Sequence, residues 1–161
     1  MTRGEAVQIL DGLGESDYEN YVRTRELLSL QKSADERAHR DELLFTVTHQ
    51  ASELWLKLAG EEIEHVSALL QIGQLQTAAR ILKRVRLAIG LCEEGLDMLE
   101  LMTPWEYQHV RTALGHGSGC DSPGFNLVRK ALPSLWDPFE EALAARNISL
   151  EERSEEHTSE L

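Results

Sequence analysis

Asp41-Glu-Leu-Leu-Phe-Thr-Val-Thr-His-Gln-Ala-Ser-Glu-Leu-Trp-Leu-Lys-Leu58 is the stretch that decides the fold. Leu44, Val47, Thr48, Ala51, Leu54, Trp55 and Leu58 recur at three- and four-residue steps, and Ile63, Val66, Leu69 and Leu70 continue the series. That is the period of an amphipathic α-helix. No proline interrupts it, so the pattern predicts one helix from Asp41 to Ile72, weakened at Gly60 and ended by Gly73. Downstream, Ile81, Leu82, Val85, Ile89, Leu96 and Leu99 mark a second long helix, from about Gln74 to Leu101. Thr103-Pro104 then reads as an N-cap followed by proline at the first helical position, opening a helix that ends near Leu114. A glycine-rich loop spans Gly115 to Gly124, and a last helical stretch, Phe125 to Ala145, is expected to break around Pro133 and Pro138. Upstream, Tyr18, Tyr21, Val22, Arg25, Leu28 and Leu30 fit one helical face, with Ser16 or Asp17 as its cap. The polar run from Ser33 to Arg40 reads as a loop, and residues 1–16 as a mobile arm. With no period-2 strand and no internal repeat, the fold class is all-α, a helical bundle.

Composition narrows the function. The 161 residues carry a net charge of −12, the opposite of the basic face that nucleic-acid binding requires. No apolar run approaches the ~18 residues of a membrane span, and the first residues lack a signal-peptide core. The expected location is therefore the cytoplasm, with no nucleic acid and no membrane as partner. Cys92 and Cys120 stand apart, without a C-x-x-C pair, as in a reduced protein. The closing string Arg153-Ser-Glu-Glu-His-Thr-Ser-Glu-Leu161 has no apolar period. It matches the translation of a common DNA-sequencing adapter. The expectation is an incomplete helical domain over residues 17–152, followed by an artefactual tail at 153–161.

Several groupings could carry chemistry. Glu36-x-x-His39, Glu62-x-x-His65 and Glu106-x-x-His109 each set a carboxylate and an imidazole one helical turn apart. Di-iron bundles use such pairs, but glutamate is abundant here and solvated pairs arise by accident. Phe45 and His49, four residues apart, project from one helix face. A lone histidine there is usually a satisfied core residue. An aromatic ring one turn before it makes a flat wall beside a hydrogen-bonding group, which suits a planar heteroaromatic ligand with an N–H. Tyr107 and Arg111 repeat the spacing near a helix end. Arginine grips a carboxylate with two parallel hydrogen bonds, although a surface Tyr–Arg stack would look the same in sequence. Ser118-Gly-Cys-Asp-Ser122 supplies glycine backbone that can approach a ligand closely.

In this order the segments resemble the tryptophan 2,3-dioxygenase family. The resemblance rests on Y-E-N-Y at Tyr18–Tyr21, L-L-S-L-Q at Leu27–Gln31, D-E-L-L-F at Asp41–Phe45 and H-Q-A-S-E-L-W-L-K-L at His49–Leu58. It continues through M-T-P at Met102–Pro104, Y-x-x-x-R at Tyr107–Arg111 and S-G-x-x-S at Ser118–Ser122. The resemblance implies an all-α enzyme that binds haem b, assembles as a homotetramer and inserts dioxygen across the indole C2–C3 bond of L-tryptophan. The product is N-formylkynurenine, which places the enzyme in tryptophan catabolism by the kynurenine route.

By the same resemblance, Phe45, Thr46, Val47, Thr48 and His49 line the indole pocket, and His49 is the catalytic distal histidine that accepts the indole N–H. Tyr107 closes the pocket, Arg111 holds the substrate carboxylate, and Ser118 and Gly119 lie beside haem and substrate. Tyr18 and Tyr21 match a segment that reaches a neighbouring subunit's site. The family's loop reads S-G-F-Q-S, whereas Cys120 and Asp121 stand in its middle here. That departure leaves open a related haem oxygenase acting on a modified indole; a di-iron bundle and a non-catalytic helical module are the alternatives from other classes. The family's proximal haem ligand is a histidine of its second half, so no residue here is assigned to iron. The chain by itself is expected to be poorly active.

Overall fold

The computed structural model describes residues 10–148, and within them every regular element is helical. Helix α1 (Asp17–Val22) and helix α2 (Thr24–Leu27) precede two long helices, α3 (Glu42–Gln71) and α4 (Leu75–Glu100). Three shorter helices follow: α5 (Pro104–Leu114), α6 (Pro123–Ala131) and α7 (Trp136–Ala144). Single 3-10 turns at Gly119–Asp121 and Leu132–Leu135 lead into α6 and α7.

Helix α3 is the spine. At 30 residues it is about 45 Å long, and it touches α4, α6 and α7. Its end is a Schellman turn: Gly73 has φ +72°, its N–H donates to Leu70 O at 2.9 Å, and the Gln74 N–H donates to Leu69 O at 2.8 Å. The chain thereby reverses in three residues, and α4 runs back along α3. Their pairing descends in register from Glu62–Arg84 (2.8 Å) through Ser52–Cys92 to Thr48–Gly95. Arg146, just past α7, donates to Gly73 O and ties the last helix to this turn.

The core follows from the apolar stripe. Leu56, Ala59, Ile63, Val85, Ala88 and Val128 form one buried cluster, and Val66, Leu69, Leu70, Ala78 and Ile81 a second. Ala59, Ile63 and Val66 have no exposed surface. Each buried valine, leucine or isoleucine of these clusters stabilises the fold by about 1.5–3 kcal/mol. Helix α3 runs unbroken through Gly60. Gly60 is buried because α6 crosses there, and a Cβ at this position would meet Leu127 Cδ2 at 2.4 Å.

Two expectations are corrected. The helical face from Tyr18 to Leu30 is not one helix, because Arg23 takes a left-handed conformation at φ 58° and separates α1 from α2. Pro138 does not break the last helix either. It sits in the first turn of α7, where a backbone N–H has no intrahelical acceptor to lose; the interruption falls at Pro133 alone. Of the arm read at 1–16, residues 1–9 lie outside the described residues. Residues 10–16 fold onto α1, with Asn20 donating to Leu10 O at 2.9 Å and accepting from the Gly14 N–H at 2.7 Å.

Glu42 opens α3 and is buried, yet it is a carboxylate. Lys32 Nζ donates to its Oε1 at 2.5 Å and the Ala38 N–H to its Oε2 at 2.7 Å, clamping the 32–38 loop to the helix start. The Lys32 bond foremost, helped by the Ala38 N–H, holds the carboxyl below its ordinary value against the opposing pull of burial. A carboxylate depressed in the folded state adds stability above its unfolded pKa, near 4.5, and that stability is lost as pH falls through the folded value. Glu42→Gln should therefore destabilise the protein at pH 7, by about 1.5–3 kcal/mol for the charge-assisted bonds lost. Its gap from the wild type in urea titrations should narrow below pH 4.5. A gap constant with pH would mean that Glu42 contributes through packing alone.

Candidate substrate and cofactor site

The first turns of α3 carry Phe45 to His49. Residues on a helix step about 100° each, so five in sequence cannot share one face, and the structure divides them. Thr48 is buried and faces α4; a Cβ on Gly95 would lie 3.2 Å from its Cγ2. Val47 is exposed and joins Thr48, Leu44, Leu91 and Met98 around a hollow of about 820 Å³ between α3 and α4. Thr46 is half-buried. Phe45 and His49 share the other face, with ring centroids 4.1 Å apart and planes 32° from parallel.

That face holds the site's most specific chemistry. His49 Nδ1 lies 2.8 Å from Phe45 O. A carbonyl only accepts, so Nδ1 must donate. In the neutral ring the proton is then fixed on Nδ1, and Nε2 is left with a lone pair. The half-buried imidazole thus presents an acceptor beside an aromatic wall.

Helix α5 supplies the opposite side. Thr103 accepts from the Glu106 N–H at 3.3 Å while Glu106 accepts from the Thr103 N–H at 2.7 Å, a complete capping box in front of Pro104. The helix so started brings Tyr107 to 6.4 Å from Phe45, ring to ring. One turn later comes Arg111, half-buried, with Nη1 donating to Gly115 O at the helix end. Among the described residues it has no carboxylate partner, which leaves the rest of the guanidinium fork for an anion.

The turn Ser118–Asp121 caps itself. Ser118 Oγ accepts from the Cys120 N–H at 3.2 Å, and Asp121 Oδ2 accepts from the Ser118 N–H at 3.0 Å. Asp121 therefore spends its charge on the backbone of its own turn, which gives the acidic substitution a structural reason. Nothing lies within 4 Å of where a Gly119 Cβ would sit, so a flat group can come up to this backbone.

Glu53, inside the H-Q-A-S-E-L-W run, has a role that helical periodicity does not announce. Its Oε1 accepts from Ser122 Oγ at 2.5 Å and its Oε2 from the Gly124 N–H at 2.9 Å. One carboxylate thus anchors the start of α6, 69 and 71 residues away in sequence. The available signal was spacing: Phe45, His49 and Glu53 fall at successive four-residue steps on one stripe of α3. The latch sets the Ser118–Ser122 turn on the stripe that carries His49. Gly124 is required there, since a Cβ would approach Glu53 Oε2 and Leu56 Cβ to 2.7 Å each. The 820 Å³ hollow includes none of Phe45, His49, Tyr107 or Arg111. The aromatic wall is an open face, and its chemistry rather than its concavity marks it.

The family model for tryptophan 2,3-dioxygenase matches residues 5–137, which takes in the site-bearing elements from α3 to α6. The chain belongs to the tryptophan 2,3-dioxygenase family. A tryptophan 2,3-dioxygenase of Xanthomonas oryzae pv. oryzae (strain PXO99A) is 38% identical over 115 residues, covering 71% of this chain and 39% of that protein. One from Kineococcus radiotolerans is 36% identical over 128 residues, covering 80% and 45%. The chain thus spans less than half the length of these curated relatives. As a member of a dioxygenase family it is related to oxidoreductases of tryptophan breakdown, and its all-α architecture agrees with the resemblance. Among the described residues no helix is long and apolar enough to cross a membrane.

The latch makes a stability prediction. Glu53→Ala should cost about 1.5–3 kcal/mol in urea unfolding, the scale for hydrogen bonds to a charged group. Amide exchange should rise most over residues 118–124. A uniform rise across α3 and α4 instead would show that Glu53 supports the core rather than the turn.

Proposed function

We propose that this chain is part of a haem-dependent dioxygenase that cleaves the indole C2–C3 bond of L-tryptophan to give N-formylkynurenine, in the cytoplasm and as a homotetramer. The observation that carries the reading is the Phe45–His49 pair: an aromatic wall with an imidazole whose Nδ1 is committed and whose Nε2 is a free acceptor. Family membership and the relatives' printed activity supply the rest.

The residues present fit one edge of a haem. The Ser118–Gly119 turn is exposed with open space at Gly119, and it is latched beside the His49 stripe through Glu53. Ser118 and Gly119 would hold that edge, and no residue of this chain is assigned to the iron. Bound haem supplies the dioxygen chemistry; the protein fixes what faces it. His49 Nε2 accepts the indole N–H and sets the ring's rotation. Phe45 stacks along the indole, and Tyr107 bounds the slot from α5. Arg111 turns its free N–H groups to the substrate carboxylate, away from the ring. Two polar anchors and a flat wall fix position and orientation together, which is where proximity and orientation lower a barrier.

Two substitutions in the full-length enzyme test these roles. His49→Ala should lower turnover of L-tryptophan by roughly 5–30-fold, equivalent to the ~1–2 kcal/mol of one hydrogen bond, with haem retained. On 1-methyltryptophan, which has no indole N–H, the loss should be much smaller. Equal losses on the two substrates would make His49 a packing residue, and haem loss would make it an iron ligand. Arg111→Leu should reduce the specificity constant for L-tryptophan about 10-fold or more, and that for tryptamine, which lacks the carboxylate, far less. Equal reductions would assign Arg111 to the end of α5, where it already bonds Gly115.

A further inference from the structure

Three E-x-x-H pairs stood in the sequence, and the fold separates them. Glu36 is taken up by Ser33, which donates to it from both its backbone N–H and its Oγ, and Glu62 is paired with Arg84. His65 is exposed on α3. The third pair is different, because it meets the histidine of the first. Donor atoms of His39, Asp41 and Glu106 all lie within 4.8 Å of one another, and each of the three residues is half-buried. His39 and Asp41 come from the loop before α3, and Glu106 from the first turn of α5.

The donor atoms face one another. His39 Nδ1 accepts from the Asp41 N–H at 3.3 Å, so in the neutral ring its lone pair is on Nδ1, and a metal bound there would displace that long bond; Asp41 Oδ2 is 3.7 Å from the same atom, while Asp41 Oδ1 pairs with Arg40 Nε at 3.4 Å. Glu106 spends Oε2 on the Thr103 N–H, and Oε1 has no hydrogen-bond partner among the described residues. His109, one turn beyond Glu106, stands with its ring 5.5 Å from that of His39. Its Nδ1 is 2.9 Å from Trp105 O and must donate there, which leaves Nε2 as the bare nitrogen. A histidine whose second nitrogen is oriented by a backbone carbonyl is the arrangement found behind metal ligands. Trp105 closes the cluster edge-on to both imidazoles.

We propose that His39, Asp41 and Glu106, with His109 beside them, form a binding site for a divalent transition-metal ion, zinc being the best match. Two imidazoles and two carboxylates are a borderline ligand set that zinc accepts. Two carboxylates carry the opposing charge, one of them shared with Arg40. Donors of a tetrahedral zinc site are about 3.3 Å apart for bonds of about 2.0–2.1 Å, so side-chain rotation within the His39–Asp41–Glu106 group closes its spacing, and His109, ring to ring 5.5 Å from His39, has to swing in as the fourth donor. The site is structural in kind: it would pin α5 to the entry of α3. No other helix runs close along α5 among the described residues, and side chains such as these hold it in place. The proposal does not depend on the oxygenase reading.

The test is calorimetric titration of the 161-residue chain, stripped with a chelator, with Zn²⁺ alone, together with thermal unfolding with and without Zn²⁺. Glu106→Gln is the discriminating variant, since glutamine at this position still completes the capping box and removes only the anionic ligand. His39→Ala is the second variant, and His65→Ala the control. The expected result is one Zn²⁺ per chain with micromolar affinity and a raised Tm. Binding should be weaker by about tenfold or more in Glu106→Gln and His39→Ala, and unchanged in His65→Ala. Two results overturn the site: no saturable binding up to millimolar Zn²⁺, or binding as tight in both ligand variants as in the wild type. If His39→Ala does not fold, the comparison of Glu106→Gln with the wild type decides alone.

Discussion

The close packing of α3 on α4 is the constraint from which the rest of the molecule hangs. Ala59, Ile63 and Val66 are sealed between the two helices, and the Gly73 turn fixes their antiparallel register. A core packed to crystal-like density gives little room for α3 to rotate about its own axis. Its remaining surface is therefore a fixed template. Rotating α3 by one residue would turn Phe45, His49 and Glu53 by about 100° and disperse everything the site uses.

On that template, two charged residues do most of the positioning. Glu42 gathers the loop that precedes α3, through Lys32 and Ala38. Glu53 gathers the turn that precedes α6, through Ser122 and Gly124. Glu42 closes a local loop, with partners 10 and 4 residues away, whereas Glu53 joins segments 69 and 71 residues apart. Helix α5 is held differently. It meets the rest through rings, Phe45 to Tyr107 and His39 to Trp105 and His109, together with the buried Val110. Because Tyr107 and Arg111 ride on α5, whatever fixes this helix also fixes one wall of the substrate face.

Local rules made much of this legible. The three- and four-residue recurrence from Leu44 to Leu70 is a property of one helix and needs no knowledge of partners, and so are the caps at Ser16 and Thr103 and the stop at Gly73. The Phe45–His49 pair was likewise visible, because both residues lie on one helix. What stayed hidden was long-range or conformational. The left-handed Arg23 is a backbone choice that its side chain does not announce. Pro138 looked like a breaker because its harmlessness depends on where α7 starts. Glu53 reads as any surface glutamate until the Gly124 N–H arrives from 71 residues away. The meeting of His39 with Glu106 is equally beyond periodicity, since a loop and a helix start bring them together.

Phe45 O fixes the His49 tautomer and so prepares Nε2 to accept a hydrogen bond. Long-range ¹H–¹⁵N correlation of the His49 ring, assigned by comparison with His49→Gln, tests it most directly. In the neutral ring the expected result is a proton on Nδ1 and a bare, high-frequency Nε2. A proton on Nε2, with Nδ1 bare, would contradict it.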